Sequence, residues 1–248
     1  FLLDTWHDVR KDAAVGVDHI SAGDYAVNLK QNVSELVKRL KAKRYRAKFV
    51  RRHEIPKGGG KFRSLGIPVT EDKLLQAAAK RLLSAIYEAD FLDCSYGYRP
   101  HRGAQLAARQ LRDELHRGKY HYVVEADIKG FFDHIDHGLL LGMLRERIAD
   151  EAFIRLIAKW LRAGILDSEG KRHHPLSGTP QGGVISPILA NVYLHHVLDV
   201  WFEEEVKVMS QGKAYLCRYA DDFVCLFEQA SDAKAFYAAL GSRLLAHG

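Results

Sequence analysis

The sequence predicts an α+β fold, in which several amphipathic helices are combined with a few short strands. Three stretches of the 248 residues carry this expectation. Leu29, Val33, Leu36, Val37 and Leu40 recur with helical spacing, and similar patterns follow along the chain. "RYRAKFVRRHEIPKGGGKFRSLGIP" (44–68) alternates basic and apolar residues around a glycine run, which predicts a basic hairpin. "AYLCRYADDFVCLF" (214–227) reads as two short strands around an aspartate pair.

The remaining elements follow in order. Thr70 opens a helix with Glu71 and Asp72 in its first turn, where the helix dipole favours acids, and Leu74, Leu75, Ala78, Leu82 and Ile86 continue it. A second helix follows "SYGYRPHRG" (95–103), with Ala104, Leu106, Ala107, Leu111 and Leu115 apolar. "YHYVVEADI" (120–128) has strand character, and helices are expected at about 138–148 and 151–163. "GTPQGGVISP" (178–187) is a Gly/Pro loop, and Ser186 with Pro187 makes an N-cap and N1 pair for a long helix to about Glu205. A last helix follows Asp232. No internal repeat and no low-complexity linker interrupts this order.

Length and a 47% hydrophobic content allow a sizeable core in one or two domains. No apolar run reaches the ~18–20 residues of a membrane span, and no signal peptide opens the chain. The chain starts at Phe1 and its last helical pattern stops at Gly248, so a fragment of a longer protein is expected. Cys94, Cys217 and Cys225 show no CxxC spacing and sit in apolar sequence, as buried thiols of an intracellular chain would. Charge is uneven. Residues 1–63 hold 15 Lys/Arg against 7 Asp/Glu, and residues 38–63 hold 12 basic residues with Glu54 as their one acid. That lobe predicts a polyanionic partner; a solvated basic face is the plainer alternative.

Asp127, Asp221 and Asp222 fall at strand ends. Unpaired burial of such groups costs several kcal/mol, so either a water-exposed turn or a bound cation must make them tolerable. If the strand ends lie side by side, three carboxylates meet at one rim. Mg²⁺ favours oxygen ligands, and two such ions ~3.5–4 Å apart serve phosphoryl transfer. An Asp pair alone is weak evidence, because Asp is common in turns.

The neighbouring motifs shift that balance. "YADD" (219–222), "ADIKGFFDHIDH" (126–137) and "GTPQGGVISPILANVYLHHVLD" (178–199) resemble blocks of the bacterial group II intron reverse transcriptases, as do "IPKGGGKFRSLGIP" (55–68) and "SYGYRPHRGAQLA" (95–107). The resemblance spans about residues 15–245. It implies a right-hand polymerase of fingers (1–115) and palm (116–248), with the boundary approximate, the two parts interleaved and the thumb absent. It implies RNA-directed DNA synthesis by two-metal nucleotidyl transfer, copying intron RNA during retrohoming, together with a maturase role in splicing.

The same resemblance implies site residues. Asp127, Asp221 and Asp222 become the catalytic carboxylates, and with the Ile128 carbonyl they hold two Mg²⁺, for which Mn²⁺ can substitute. Lys57, Lys61 and Arg63 resemble the residues that grip the incoming triphosphate, where glycines admit backbone N–H groups and Arg binds bidentately. Phe132 falls at the family's sugar gate, which excludes a 2′-hydroxyl. Gln181 supports the nucleotide, while Arg51, Arg52, Ile67 and Pro68 face the template. Partners are intron RNA, RNA template, DNA primer and dNTPs, without a membrane and with a homodimer open. The place of action is the bacterial cytoplasm, in a ribonucleoprotein. A splicing maturase with little polymerase activity, or a CRISPR- or defence-associated reverse transcriptase, is the alternative. Without a thumb, a weakly active fragment is expected. "DHIDH" has near-metal spacing, but zinc needs about four convergent ligands, so His134 and His137 are read as surface or capping residues.

Overall fold

The computed structural model describes every residue except Ser168, His174, Pro175, Pro180 and Gln181, and gives Lys57, Gly58, Lys61 and Arg63 by their backbone alone. In chain order the helices are α1 (Leu2–Thr5), α2 (Ala22–Val27), α3 (Leu29–Lys41), α4 (Thr70–Tyr87), α5 (Ala104–Arg117), α6 (Phe131–His134), α7 (His137–Arg147), α8 (Glu151–Leu161), α9 (Ser186–Leu194), α10 (Lys207–Met209) and α11 (Ala230–Leu245). The strands are β1 (Val50–Gly58), β2 (Lys61–Ile67), β3 (Tyr122–Asp127), β4 (Ile165–Leu166), β5 (Arg172–His173), β6 (Ala214–Tyr219) and β7 (Asp222–Phe227). The chain forms two compact units, each from two segments: Phe1–Leu83 with Ile148–Ser186, and Ser84–Arg147 with Pro187–Gly248.

The first unit holds a four-stranded sheet ordered β2-β1-β4-β5. β1 and β2 form the expected hairpin. Gly59 and Gly60 connect them with φ of 58° and 71°, a pairing of positive angles that glycine adopts without the Cβ clash of other residues. The register shifts between Pro56 and Gly58, where proline supplies no ladder N–H. β4 and β5 were not expected, since two residues each are too few to display a period. An apolar cluster of Trp6, Tyr25, Val33, Leu74 and Ala77 joins the N-terminal segments to α4.

A buried polar chain crosses the same unit. The indole N–H of Trp160 donates to the Tyr45 hydroxyl at 2.9 Å, and that hydroxyl donates to Asp72 Oδ1 at 2.6 Å. The Lys48 backbone N–H donates to Asp72 Oδ2 at 3.1 Å. Tyr45 and Asp72 are almost wholly buried. Asp72 therefore serves as an anchor as well as a first-turn acid.

The second unit holds a three-stranded antiparallel sheet ordered β3-β7-β6. Along β3, Val124 and Ala126 pack on the core while Val123, Glu125 and Asp127 are exposed, as the period of two requires. That core combines Phe223, Cys225 and Phe227 of β7 with Phe236 and Leu240 of α11 and with Leu198, Trp201 and Phe202. The long helix expected from Ser186 is present but not regular. Two π-helical turns, His195–Asp199 and Phe202–Val206, lie between α9 and α10. All three cysteines are buried and free. Among the described residues no helix is long and apolar enough to cross a membrane.

Burial pushes the Asp72 carboxyl up to about 6, against the hydrogen bonds from Tyr45 and Lys48 that pull it down. The unfolded chain loses this proton near pH 4 and the folded chain near pH 6, so Asp72 subtracts stability as pH rises through that window. We expect Asp72→Asn to remove a fall of roughly 2–3 kcal/mol between pH 4 and pH 6.5 in urea unfolding. Parallel pH profiles for the two proteins would contradict it.

Candidate functional site

β3 and β7 pair with Asp127 directly opposite Asp222, and β6 and β7 pair with Tyr219 opposite Asp222. The connection between β6 and β7 is the two-residue turn Ala220–Asp221. Three carboxylates expected from the sequence thus share one end of one sheet. Asp127 and Asp222 are exposed and Asp221 is half-buried. Neither the Asp127 nor the Asp222 side chain has a hydrogen bond or ion pair among the described residues. Like charges facing across strands repel, and among the described residues no basic side chain pairs with either of these two carboxylates to offset that. Among the described residues no three His, Cys, Asp or Glu side chains converge tightly enough to hold a metal ion. The carboxylates are neighbours in register without forming a closed ligand set. Their all-oxygen chemistry still suits a hard divalent cation, which keeps water and substrate among its ligands.

The turn is strained and firmly held. Ala220 has φ 57°, a left-handed conformation that costs a residue with a Cβ roughly 1–2 kcal/mol. Arg218, fully buried, donates to the Ala220 carbonyl at 3.0 Å, to both Asp199 oxygens at 2.7 and 2.6 Å, to Asn191 Oδ1 at 3.1 Å and to Ser95 Oγ at 2.8 Å. Burial opposes its charge, yet the Asp199 carboxylate and, further off, Asp221 hold its pKa above the ordinary arginine value. Asn191 in turn donates to the Gly97 carbonyl at 2.7 Å.

"SYGYRP" backs this turn. Cys94 O accepts from the Arg218 N–H at 2.7 Å, and Tyr96 N–H donates to Arg218 O at 2.9 Å, adding a short ladder to β6. A Cβ on Gly97 would stand 2.4 Å from Ala220 N, so only glycine lets the loop approach so closely. Arg99 is buried and closes the loop on itself, donating to Glu88, to Leu92 O at 2.7 Å and to Ser95 O at 2.9 Å.

Other expected residues fall as follows. The Ile128 carbonyl accepts from Phe131 N–H at 3.2 Å and keeps a second lone pair. Phe131 is core, whereas Phe132 is half-buried and meets it edge-on at 5.5 Å. His134 accepts or donates locally at the Gly130 carbonyl, 2.9 Å away. In the first unit, Arg51 donates to Val15 O at 3.0 Å and Arg52 pairs with Glu54 at 3.2 Å. Ile67 is half-buried and Pro68 is buried in a cavity lined also by Val50 and Trp160, so Pro68 offers no open surface to a template. The Gly/Pro loop is tied down by the Val184 N–H donating to Gln76 Oε1 at 3.0 Å. Gln181 lies outside the described residues, as do the side chains of Lys57, Lys61 and Arg63.

Arg218, Asp199, Asn191 and Arg99 were missed from the sequence. A signal existed: Arg218 is the one cation in the apolar run 214–220, and Asp199 sits in the apolar run 197–202. Only tertiary pairing makes them partners. We expect Arg218→Leu to cost roughly 3–5 kcal/mol in urea unfolding, because it strands Asp199 as a buried unpaired charge. A loss below about 1 kcal/mol would mean that Asp199 does not depend on this partner.

The reverse transcriptase (RNA-dependent DNA polymerase) family matches residues 55–248. The chain is 42% identical over 168 residues to the Group II intron-encoded protein LtrA of Lactococcus lactis subsp. cremoris, covering 67% of this chain and 28% of that protein. It is 35% identical over 242 residues to Protein YkfC of Escherichia coli strain K12, covering 85% and 62%. The chain therefore spans less than two thirds of these relatives' length. Among solved structures, a telomerase from Candida albicans superposes with a TM-score of 0.57 at 13% identity, covering 89% of this chain and 45% of that one. A chain of a partial Cas6-RT-Cas1–Cas2 complex does so with a TM-score of 0.53 at 22% identity, covering 97% and 39%. These two show a shared fold. With most of its length matched and its carboxylate turn in place, the chain belongs to the reverse transcriptase family.

Proposed function

We propose that this chain is the nucleotidyl-transfer core of a group II intron-encoded reverse transcriptase, which copies intron RNA into DNA and binds that RNA in splicing. One observation carries the proposal: Asp127 faces Asp222 across the strands, with Asp221 beside them in a strained turn fixed by Arg218. Strain held in place by buried contacts is characteristic of functional sites.

In this reading Asp127, Asp221 and Asp222 supply oxygen donors for divalent cations, with the Ile128 carbonyl as a further donor. Bound Mg²⁺ would lower the pKa of the primer 3′-hydroxyl and stabilise the leaving pyrophosphate. The half-buried Phe132 ring sits five residues past Asp127, where it would exclude a ribose 2′-hydroxyl. Lys57, Lys61 and Arg63 on the glycine hairpin would neutralise the triphosphate, and Gln181 would support the base pair. Arg51, Arg52 and Ile67 would face the template strand. The fingers role falls to the basic hairpin and the palm role to the carboxylate sheet. Action within a ribonucleoprotein, away from membranes, goes with this assignment.

Primer extension on an RNA template, measured in the chain's native protein with Mg²⁺ and dNTPs, tests the proposal. The Asp221→Asn/Asp222→Asn and Asp127→Asn variants should each lose roughly 10³-fold or more of the wild-type rate, the effect of several kcal/mol of lost transition-state stabilisation. Phe132→Ala should keep DNA synthesis and accept ribonucleotides more readily. Salt-sensitive RNA binding with no extension by the wild type would instead favour a splicing maturase that retains the polymerase fold.

A further inference from the structure

A groove of about 530 Å³ lies wholly within the first unit, between α8 and residues 46–49. Arg46, Arg155, Lys159 and Arg162 line it, and the half-buried Phe49 forms part of its floor. Arg172 extends the basic surface, its guanidinium 5.3 Å from the centre of the Phe49 ring. None of the groove's lining residues is acidic.

Some cations of the unit are paired with acids and others, such as Lys43 and Arg44, have no acidic partner among the described residues. The groove gathers five of the second kind on one surface. Arg10, Lys38, Arg39, Lys48 and Arg52 each have a carboxylate within 4 Å. Arg46, Arg155, Lys159, Arg162 and Arg172 have none among the described residues. Arg155 and Lys159 of α8 and Arg162, the residue that caps its C-terminus, stand at i, i+4 and i+7 on one side, where like charges repel one another. The helix dipole favours Lys159 and Arg162 at the C-terminal end. It does nothing for Arg155, nor for Arg46 and Arg172 on other segments. The opposite face, with Ile154, Ile157 and Trp160, is core, so the basic face cannot turn away.

The groove is also built rigidly. Trp160 bonds to the Tyr45 hydroxyl, Lys159 Nζ donates to Tyr45 O at 2.8 Å, and Val50 N–H donates to Gly164 O at 2.8 Å. From Arg155 to the C-cap Arg162 the cations extend over roughly 10 Å at 1.5 Å per residue. That spans about three phosphates of a nucleic-acid strand, at one per 3.4 Å of axis. Four of the five cations are arginines, whose planar forks match phosphate oxygens.

We propose that this groove binds the phosphate backbone of a nucleic acid, as a site separate from the carboxylate sheet. The proposal shares only RNA binding with the function above and needs no polymerase chemistry. Fluorescence anisotropy with a labelled RNA hairpin and a DNA hairpin of the same sequence, titrated at several salt concentrations, tests it. The variant is Arg155→Gln/Arg162→Gln. The control, Arg10→Gln/Arg112→Gln, removes equal charge from exposed arginines that already have acidic partners.

The groove variant should weaken binding about tenfold near 0.1 M salt and lower the log–log salt slope by about 1.5–2, as loss of two phosphate contacts requires. The control should change neither. A loss confined to the RNA hairpin identifies A-form RNA as the ligand; a loss with both identifies the shared backbone. A groove variant that behaves like the control overturns the proposal. So does displacement of the hairpin by polyglutamate as readily as by unlabelled RNA. Primer extension reports on the carboxylate sheet separately, so a chain that binds through the groove but fails to extend would sink the polymerase reading alone.

Discussion

The buried Arg218 is the constraint on which the site depends. One guanidinium satisfies a carboxylate of the helical segment, an amide, a hydroxyl of the "SYGYRP" loop and the carbonyl of a strained alanine. A charge in so apolar a place is tolerable only when every donor finds a partner. The π-helical turn that carries Asp199 is part of the same arrangement, since such turns depart from regular α spacing and concentrate near functional groups. Helix, loop and hairpin are thereby fixed relative to one another within the second unit. The carboxylates at the sheet end inherit that rigidity while Asp127 and Asp222 stay exposed.

The first unit uses the same principle with weaker charge. Tyr45 receives a hydrogen bond from Trp160 and gives one to Asp72, so α8, the segment before β1 and the start of α4 meet at one hydroxyl. The cost shows in the raised pKa of Asp72, a group held partly desolvated to complete the contact. This internal pairing contrasts with the unpaired arginines on the neighbouring surface. Carboxylates are used where they anchor the fold and are missing where the groove opens.

Much of this was legible in the sequence, because helical periodicity and alternation report burial locally. The basic hairpin, the helix opening at Thr70, the strand to Asp127 and the carboxylate turn all followed from spacing and turn residues. The motif resemblance named the family and gave the three aspartates. It also placed "SYGYRP" with the fingers, whereas its backbone pairs with β6 beside the carboxylate turn. Pro68 was expected at a template surface and is buried, because a proline at a strand end carries no sign of which way its ring faces.

What the sequence determined by itself was the α+β class, the order of the main elements and the residues able to carry the chemistry, since these depend on neighbours a few positions apart. What only the tertiary structure decided was how buried polar groups pair across long separations. Arg218 meets Ser95 across 123 positions and Trp160 meets Tyr45 across 115, and no local pattern encodes either. The two-residue strands and the π turns were decided there too, since they answer to packing rather than propensity. The open groove belongs with them: whether a basic residue is neutralised depends on which carboxylate folding brings within 4 Å of it.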